Sequence, residues 1–244
     1  MDRDTQKRRA AERAVDRIED GDVVGLGSGS TAAAAIRALA GRVDAGLDVR
    51  GVPTSHQARD VALDAGVPVV DLDQVDGVDV AVDGADQVAL GSDREPVGDT
   101  VEDADGPWTA PALIKGGGGA HAREKLVDAA ADQFLVVVDP TKCTTELDAP
   151  VPVEVLPAAR TVVAEAVRDL GGDPTLRAAS AKSGPVVTDN GNLVLDCAFG
   201  TIEKPADLAT ALSSLPGVLE HGLFVDLADA VYVGTEAGVE EYGG

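Results

Sequence analysis

One lysine, four consecutive glycines and a helical carboxylate share a single short segment, Leu113–Lys125, with the sequence LIKGGGGAHAREK. Glycines carry no Cβ, so backbone amides along such a run can approach a ligand closely. The helix that opens behind the run presents a positive dipole end suited to an anion. Lys115, the run Gly116, Gly117 and Gly118, and Glu124 about one turn into the helix are the parts of a proton-transfer site acting on a phosphorylated ligand. Glu124 lies between Arg123 and Lys125, and consecutive helical positions spread around the axis, so only one of the three need face a cleft. The competing role is an acid near a helix N-terminus that faces water. A dipole also lowers a carboxyl's pKa, so a base at this position requires partial burial to regain proton affinity.

Two further turns carry polar groups. In Gly25–Thr31, GLGSGST, the amides and hydroxyls of Ser28, Gly29, Ser30 and Thr31 suit a phosphate at a strand–helix junction. The segment lacks the Gly-Lys-Ser/Thr ending of a P-loop, and its third glycine comes too early for a dinucleotide fingerprint. Its alternative role is a tight turn in which Ser30 and Thr31 only cap the helix. Asp83, Gly84, Ala85 and Asp86 close an apolar strand, and paired carboxylates there can exchange protons with sugar hydroxyls. In so Asp-rich a chain, a solvated turn is the alternative. Only six of the 20 basic residues are lysines, which gives weight to Lys115 and to Lys142, just after a strand end. Lys7 sits on a first helix that is basic anyway.

These turns need elements to hold them. Helical periodicity over 5–19 places Ala11, Ala14, Val15 and Ile18 on one face. Strands are predicted at Asp22–Leu26, Val49–Pro53, Pro68–Leu72, Val78–Val82 and Phe134–Val138, and helices at Ala32–Ala40, His56–Ala65 and Ala120–Ala131. Such alternation argues for a parallel α/β sheet, with ligands at the carboxyl ends of its strands. Residues 91–112, rich in Gly, Pro and Asp and holding the only Trp, read as a surface loop or short hairpin with no catalytic part. After Asp148 the order becomes strand (VPVEVL), helix (Ala158–Leu170), a strand pair over Pro185–Asp196 with an Asn-Gly turn, and helix (205–214). That order suits a ferredoxin-like α+β domain. Thr188–Asn192 is hairpin turn chemistry, and Ala230–Val233 could return to the first sheet. The expected organisation is an α/β domain, 1–147 plus 222–244, with an inserted ferredoxin-like domain at 148–221.

Composition bounds the function. The net charge is −23, Asp supplies 30 of the 43 acids, and lysine is depleted, a balance that fits concentrated salt. Such a field repels nucleic acid, so an anionic ligand must meet a local basic pocket. His56, His121 and His221 are scattered without metal-ligand spacing, and Cys143 and Cys197 form neither a CxxC pair nor a disulfide framework. The acidic EDADG run fails as an EF-hand at Val101 and Ala112. The charged N-terminus reads as neither signal peptide nor anchor, and no apolar run nears the ~20 residues of a membrane span, so a cytoplasmic location is expected.

Jointly, GLGSGSTAAAAI, AVDGADQV, IKGGGGAHAREKLV, VVVDPTK, VPVEVLP, VVTDNGNLVLD and PGVLEHGLF resemble, in order and over nearly the whole chain, the type A ribose-5-phosphate isomerase family. The resemblance implies a Rossmann-like parallel-sheet domain with an inserted ferredoxin-like domain, assembled as a homodimer or homotetramer. It implies interconversion of ribose 5-phosphate and ribulose 5-phosphate without metal or organic cofactor. Glu124 becomes the proton acceptor; Asp83 and Asp86 handle hydroxyl protons and ring opening; Lys115 stabilises the oxyanion. Ser28–Thr31, Asp83–Asp86, Lys115–Gly118 and Lys142 bind substrate, with Lys7 helping to anchor phosphate. The glycine run then serves as a close-approach surface for the reacting end of the sugar, with phosphate nearer Ser30 and Thr31. Three departures from the family pattern stand out: Ser28 in place of threonine, His121 at a small or apolar position, and the long 91–112 link. A sugar-phosphate sensor and a sugar-phosphate hydrolase or deaminase are the rival readings.

Overall fold

Residues 2–90, 96, 110–180 and 183–243 are described by a computed structural model of the chain. Asp2 accepts a hydrogen bond from Thr5 N at 2.8 Å and caps α1 (Arg3–Val15), whose Ala10, Ala11, Ala14 and Val15 are buried. The all-buried β1 (Val23–Leu26) runs into α2 (Gly29–Asp44), and β2 (Arg50–Pro53) runs into α3 (His56–Ala65), which Ser55 caps. β3 (Val78–Asp83), β4 (Gln87–Ala89), β5 (Ala112–Ile114), α4 (His121–Asp128) and β6 (Ala131–Val138) follow. The later elements are β7 (Cys143–Thr144), β8 (Val151–Val155), α5 (Arg160–Asp169), β9 (Asp173–Leu176), β10 (Leu193–Ala198), α6 (Pro205–Ser213), β11 (Val218–His221), β12 (Leu223–Phe224), β13 (Ala230–Gly234) and β14 (Val239–Gly243).

Six strands form the main sheet in the order β14-β13-β6-β3-β1-β2, parallel except for the β13–β14 pair. Strand β6 shows why it is central. Leu135 and Val137 join the core under α1, α2 and α3, while Phe134, Val136 and Val138 join the opposite core with Val127 of α4. Both faces are covered, so the strands read as continuous apolar runs rather than as alternation. From β1 the chain goes to β2 on one side and then to β3 on the other. The strand order therefore switches between β1 and β3, where α/β sheets open a crevice.

A second sheet, antiparallel and ordered β11-β8-β10-β9, carries α5 and α6 on a core of its own. Its chain order of strand, helix, two strands, helix, strand is the ferredoxin-like arrangement. The strand over Ala230–Gly234, β13, does return to the first sheet, where it pairs with β6, and β14 adds an antiparallel edge. Among the described residues no helix is long and apolar enough to cross a membrane.

Two expectations need correction, and one feature was not foreseen. Pro68–Leu72 is not a strand: Val69 makes one isolated bridge to Gly51, and a capping box between Asp71 and Gln74 turns Leu72–Gln74 into 3₁₀ helix. In Pro185–Asp196 the first arm forms only isolated bridges, and β10 pairs instead with β9, a strand not expected from the sequence. A third sheet, β12-β5-β4-β7, was also unforeseen, because its strands are two or three residues long and have no measurable period. Its β5 takes in Ala112, the end of the expected 91–112 loop. Apart from Pro96 and residues 110–112, that loop lies outside the described residues.

Candidate active site

The carboxyl ends of β1, β3 and β6 converge on one cleft. Asp83, the last residue of β3, is fully buried beneath it. One carboxylate oxygen accepts from the amides of Ser28 at 3.0 Å and Gly84 at 2.7 Å, bridging the switch point between β1 and β3. The other lies 2.7 Å from Lys115 Nζ. Gly27 has to be glycine here, because a Cβ would stand 2.1 Å from the Asp83 carboxylate.

Lys115 follows β5 and is only 2% exposed. Its main-chain amide donates to Gly222 O at 2.8 Å, which ties it to the link between β11 and β12. Its ammonium donates to Gly84 O at 2.6 Å and lies 3.8 Å from both Glu124 and Asp128. The rings of Phe224 and Phe134 cover it, with centroids at 5.3 and 5.9 Å. Burial alone would lower the ammonium's pKa, but Asp83, Glu124 and Asp128 more than offset that and hold it above its ordinary value.

Glu124 and Asp128 stand one turn apart on the buried face of α4. Burial pushes the Glu124 carboxyl up to about 8; Lys115 pulls it down, while Asp83 and Asp86 push it further up. Burial also raises Asp128 well above the carboxylate range. Three carboxyls thus share one ammonium in a nearly dry cluster, and such an excess of buried acid retains protons at neutral pH.

Above this floor, Asp86 accepts from Gly117 N at 2.7 Å. A Cβ on Gly117 would crowd that carboxylate at 2.7 Å, and Gly116, at φ +103°, leaves room for the His121 ring. The glycine run therefore serves internal packing at Gly116 and Gly117, and only Gly118 of the three faces open space. His121 is fully buried; burial pushes its pKa down to about 3, so the ring remains neutral and fills space beside the loop.

At the mouth, Gly29, Ser30 and Thr31 line the N-terminal turn of α2. Lys7 Nζ donates to Ser30 Oγ at 2.9 Å. Lys142 projects from a 3₁₀ turn, Pro140–Lys142, capped by buried Asp139, which accepts from Thr141 N at 3.0 Å. Arg3 completes a trio of cations around the cleft. In a chain of net charge −23 this is the local basic pocket an anion requires. The Ser28 hydroxyl is engaged with Thr54 at 2.9 Å and Ser55 at 2.8 Å.

The family model of ribose 5-phosphate isomerase A (phosphoriboisomerase A) matches residues 50–93 and 92–238. The ribose-5-phosphate isomerase A of Halorubrum lacusprofundi is 60% identical over 241 residues, spanning 97% of this chain and 95% of that one. A solved D-ribose-5-phosphate isomerase in complex with phospho-erythronic acid superposes with a TM-score of 0.90 at 40% identity, covering 100% of both chains. The Methanocaldococcus jannaschii ribose 5-phosphate isomerase A superposes with a TM-score of 0.87 at 40% identity, covering 98% of both. The chain belongs to the ribose 5-phosphate isomerase A family.

For this family member, the cleft gathers the residues singled out from sequence: Ser28 to Thr31, Gly84 to Asp86, Lys115 to Gly118, Glu124, Lys142 and Lys7 all line it. Asp83 is the exception. It lies under the floor, with its oxygens taken by Lys115 and two amides rather than presented to a ligand. Sequence reasoning missed Arg3, Asp128 and Asp139. Arg3 sits four residues before Lys7 and Asp128 four after Glu124, so helical periodicity could have placed each beside its partner. Asp139 follows an apolar strand in the same way as Asp83.

Proposed function

We propose that this chain is a ribose-5-phosphate isomerase that moves a proton between C1 and C2 of the open-chain sugar through an enediolate. The observation that carries the reading is the buried pair of Glu124 and Lys115, 3.8 Å apart, on the floor of a cleft whose mouth holds Arg3, Lys7 and Lys142. Glu124 abstracts and returns the carbon-bound proton, and its raised proton affinity makes its ionised form a strong base. Lys115 stabilises charge developing on the neighbouring oxygen. Asp86, at the cleft wall, exchanges protons with sugar hydroxyls and assists ring opening, and Asp83 joins that hydroxyl chemistry through Lys115, which it orients. Ser30, Thr31, Lys7, Lys142 and Arg3 bind the phosphate, and that remote anchorage positions the reacting carbons. The sugar end lies against Gly116–Gly118.

Glu124→Gln, assayed with ribose 5-phosphate in multimolar KCl, is expected to lower kcat by roughly 10²–10⁴. Turnover near that of the parent protein would refute the assignment. The same reading includes two domains, 1–147 plus 222–244 and 148–221, a cytoplasmic, salt-adapted enzyme, and a homodimer or homotetramer, which light scattering would measure directly.

A further inference from the structure

The inserted ferredoxin-like sheet contributes no residue to the cleft lining, yet one side chain beside it reaches the glycine loop. Arg177 directly follows β9. Its Nε donates to Asp196 Oδ2 at 2.9 Å, and its Nη2 pairs with Asp196 Oδ1, so the β10 carboxylate holds the guanidinium from one side. Its Nη1 donates to the carbonyls of Gly116 at 2.8 Å and Gly117 at 3.1 Å. Arginine's planar fork can make both attachments at once, whereas a lysine ammonium cannot reproduce that geometry.

Planarity carries the consequence across the loop. In a trans peptide the C=O and the following N–H point in opposite directions, so fixing the oxygen aims the hydrogen. The 116–117 peptide is gripped at both ends: its carbonyl by Arg177 and by the Gly119 amide at 2.9 Å, and its N–H, on Gly117, by Asp86 at 2.7 Å. The carbonyl of the 117–118 peptide is also held by Arg177, which turns the Gly118 N–H away from the guanidinium. Glycines at 116–118 have no side chain with which to fix these planes themselves.

We propose that Arg177, braced by Asp196, is a positioning residue for catalysis: it sets the 116–117 and 117–118 peptides so that Asp86 is held in place and the Gly118 amide faces the bound sugar. The inference rests on the isomerase reading of the cleft. If the parent protein does not isomerise ribose 5-phosphate, that reading fails; if it does, the variants below test Arg177 separately. In Arg177→Ala, kcat/KM is expected to fall roughly 10–100-fold, as a displacement of about 1 Å in a positioned group does. Amide exchange at Gly116–Gly119 is expected to accelerate while the β8 and β10 amides remain protected, and added guanidinium should restore part of the rate. Arg177→Lys should recover little. Asp196→Asn should impair turnover in the parent background and add little on top of Arg177→Ala. Unchanged kcat/KM in Arg177→Ala would overturn the proposal. So would a loss without faster Gly116–Gly119 exchange, or effects of Arg177→Ala and Asp196→Asn that simply add. If Arg177→Ala does not fold cooperatively in high salt, Arg177→Met, which fills the space and cannot donate, takes its place in the rate and exchange measurements, and the same outcomes of those two support or overturn the proposal.

Discussion

Glu124 sets proton affinity against stability within a single side chain. Its carboxyl is raised from an ordinary 4.5 to about 8 because folding removes it from water beside Asp83 and Asp86, with Lys115 only partly compensating. The folded chain therefore binds a proton that the unfolded chain has released, and linkage fixes the sign. The stability associated with this group is fully present below pH 4.5 and is lost as pH rises through about 8. Catalysis runs the other way, since only the carboxylate accepts the proton from carbon. The acid limb of kcat/KM should accordingly fall with an apparent pKa near 8, well above that of a solvated glutamate, and a limb near 4.5 would contradict the burial. Glu124→Gln removes the ionisation, so in thermal unfolding at pH 9 it should melt above the parent protein, by roughly 2–4 °C for each kcal/mol recovered. Well below pH 4.5 the two should melt together, because the position is then uncharged in both the folded and the unfolded chain. A variant that gains stability at high pH while losing turnover would show the carboxylate held ionised at the expense of the fold.

The elements fix this chemistry through close approach. Gly27 directly follows β1 and lies against Asp83, and a methyl group there would overlap the carboxylate that anchors Lys115. Gly27→Ala should cost about 1–3 kcal/mol in stability by overpacking and reduce kcat through displacement of Asp83 and Lys115. Gly41→Ala is the matched control. Gly41 lies inside α2 with open space around it, so the same substitution should stabilise by about 0.5–1 kcal/mol and leave turnover unchanged. Chemical denaturation and steady-state rates on the pair separate packing at the site from helix propensity. The contrast also shows what was legible in the sequence. The turns at Ser28 and Asp83 could be read because the apolar strands β1 and β3, four and six residues long, run there into glycine or acidic turns. The sheet joining β12, β5, β4 and β7 could not, since strands of two or three residues carry no period and are specified only by their neighbours. Arg177 was illegible for a related reason: its partners, Gly116, Gly117 and Asp196, are distant in sequence and two of them are main-chain carbonyls. The burial that makes Glu124 a base is likewise a property of the packed cluster and not of the spacing in LIKGGGGAHAREK.

For the molecule as a whole, charge is the dominant variable. Among the described residues only five acids are buried, Asp83, Glu124, Asp128, Asp139 and Glu154. The other described acids are exposed or partly exposed, and against the 20 Lys and Arg of the chain they leave an excess that no pattern of ion pairing can neutralise. Pairs such as Arg13 with Glu241 and Arg59 with Asp71 lie at the surface and contribute little individually. Self-repulsion must therefore be screened by solvent ions. The screening length falls from about 10 Å at 0.1 M to about 3 Å at 1 M, which is shorter than most separations between surface carboxylates. The melting temperature should rise steeply with KCl over that interval and flatten beyond it, where little repulsion is left to screen. Sucrose at matched osmolality supplies no ions and should not reproduce the early rise. A melting temperature independent of KCl between 0.1 and 1 M would show that the surface charge does not limit stability. A rise that continued undiminished into the multimolar range would assign the stabilisation to ions bound at specific carboxylates rather than to screening.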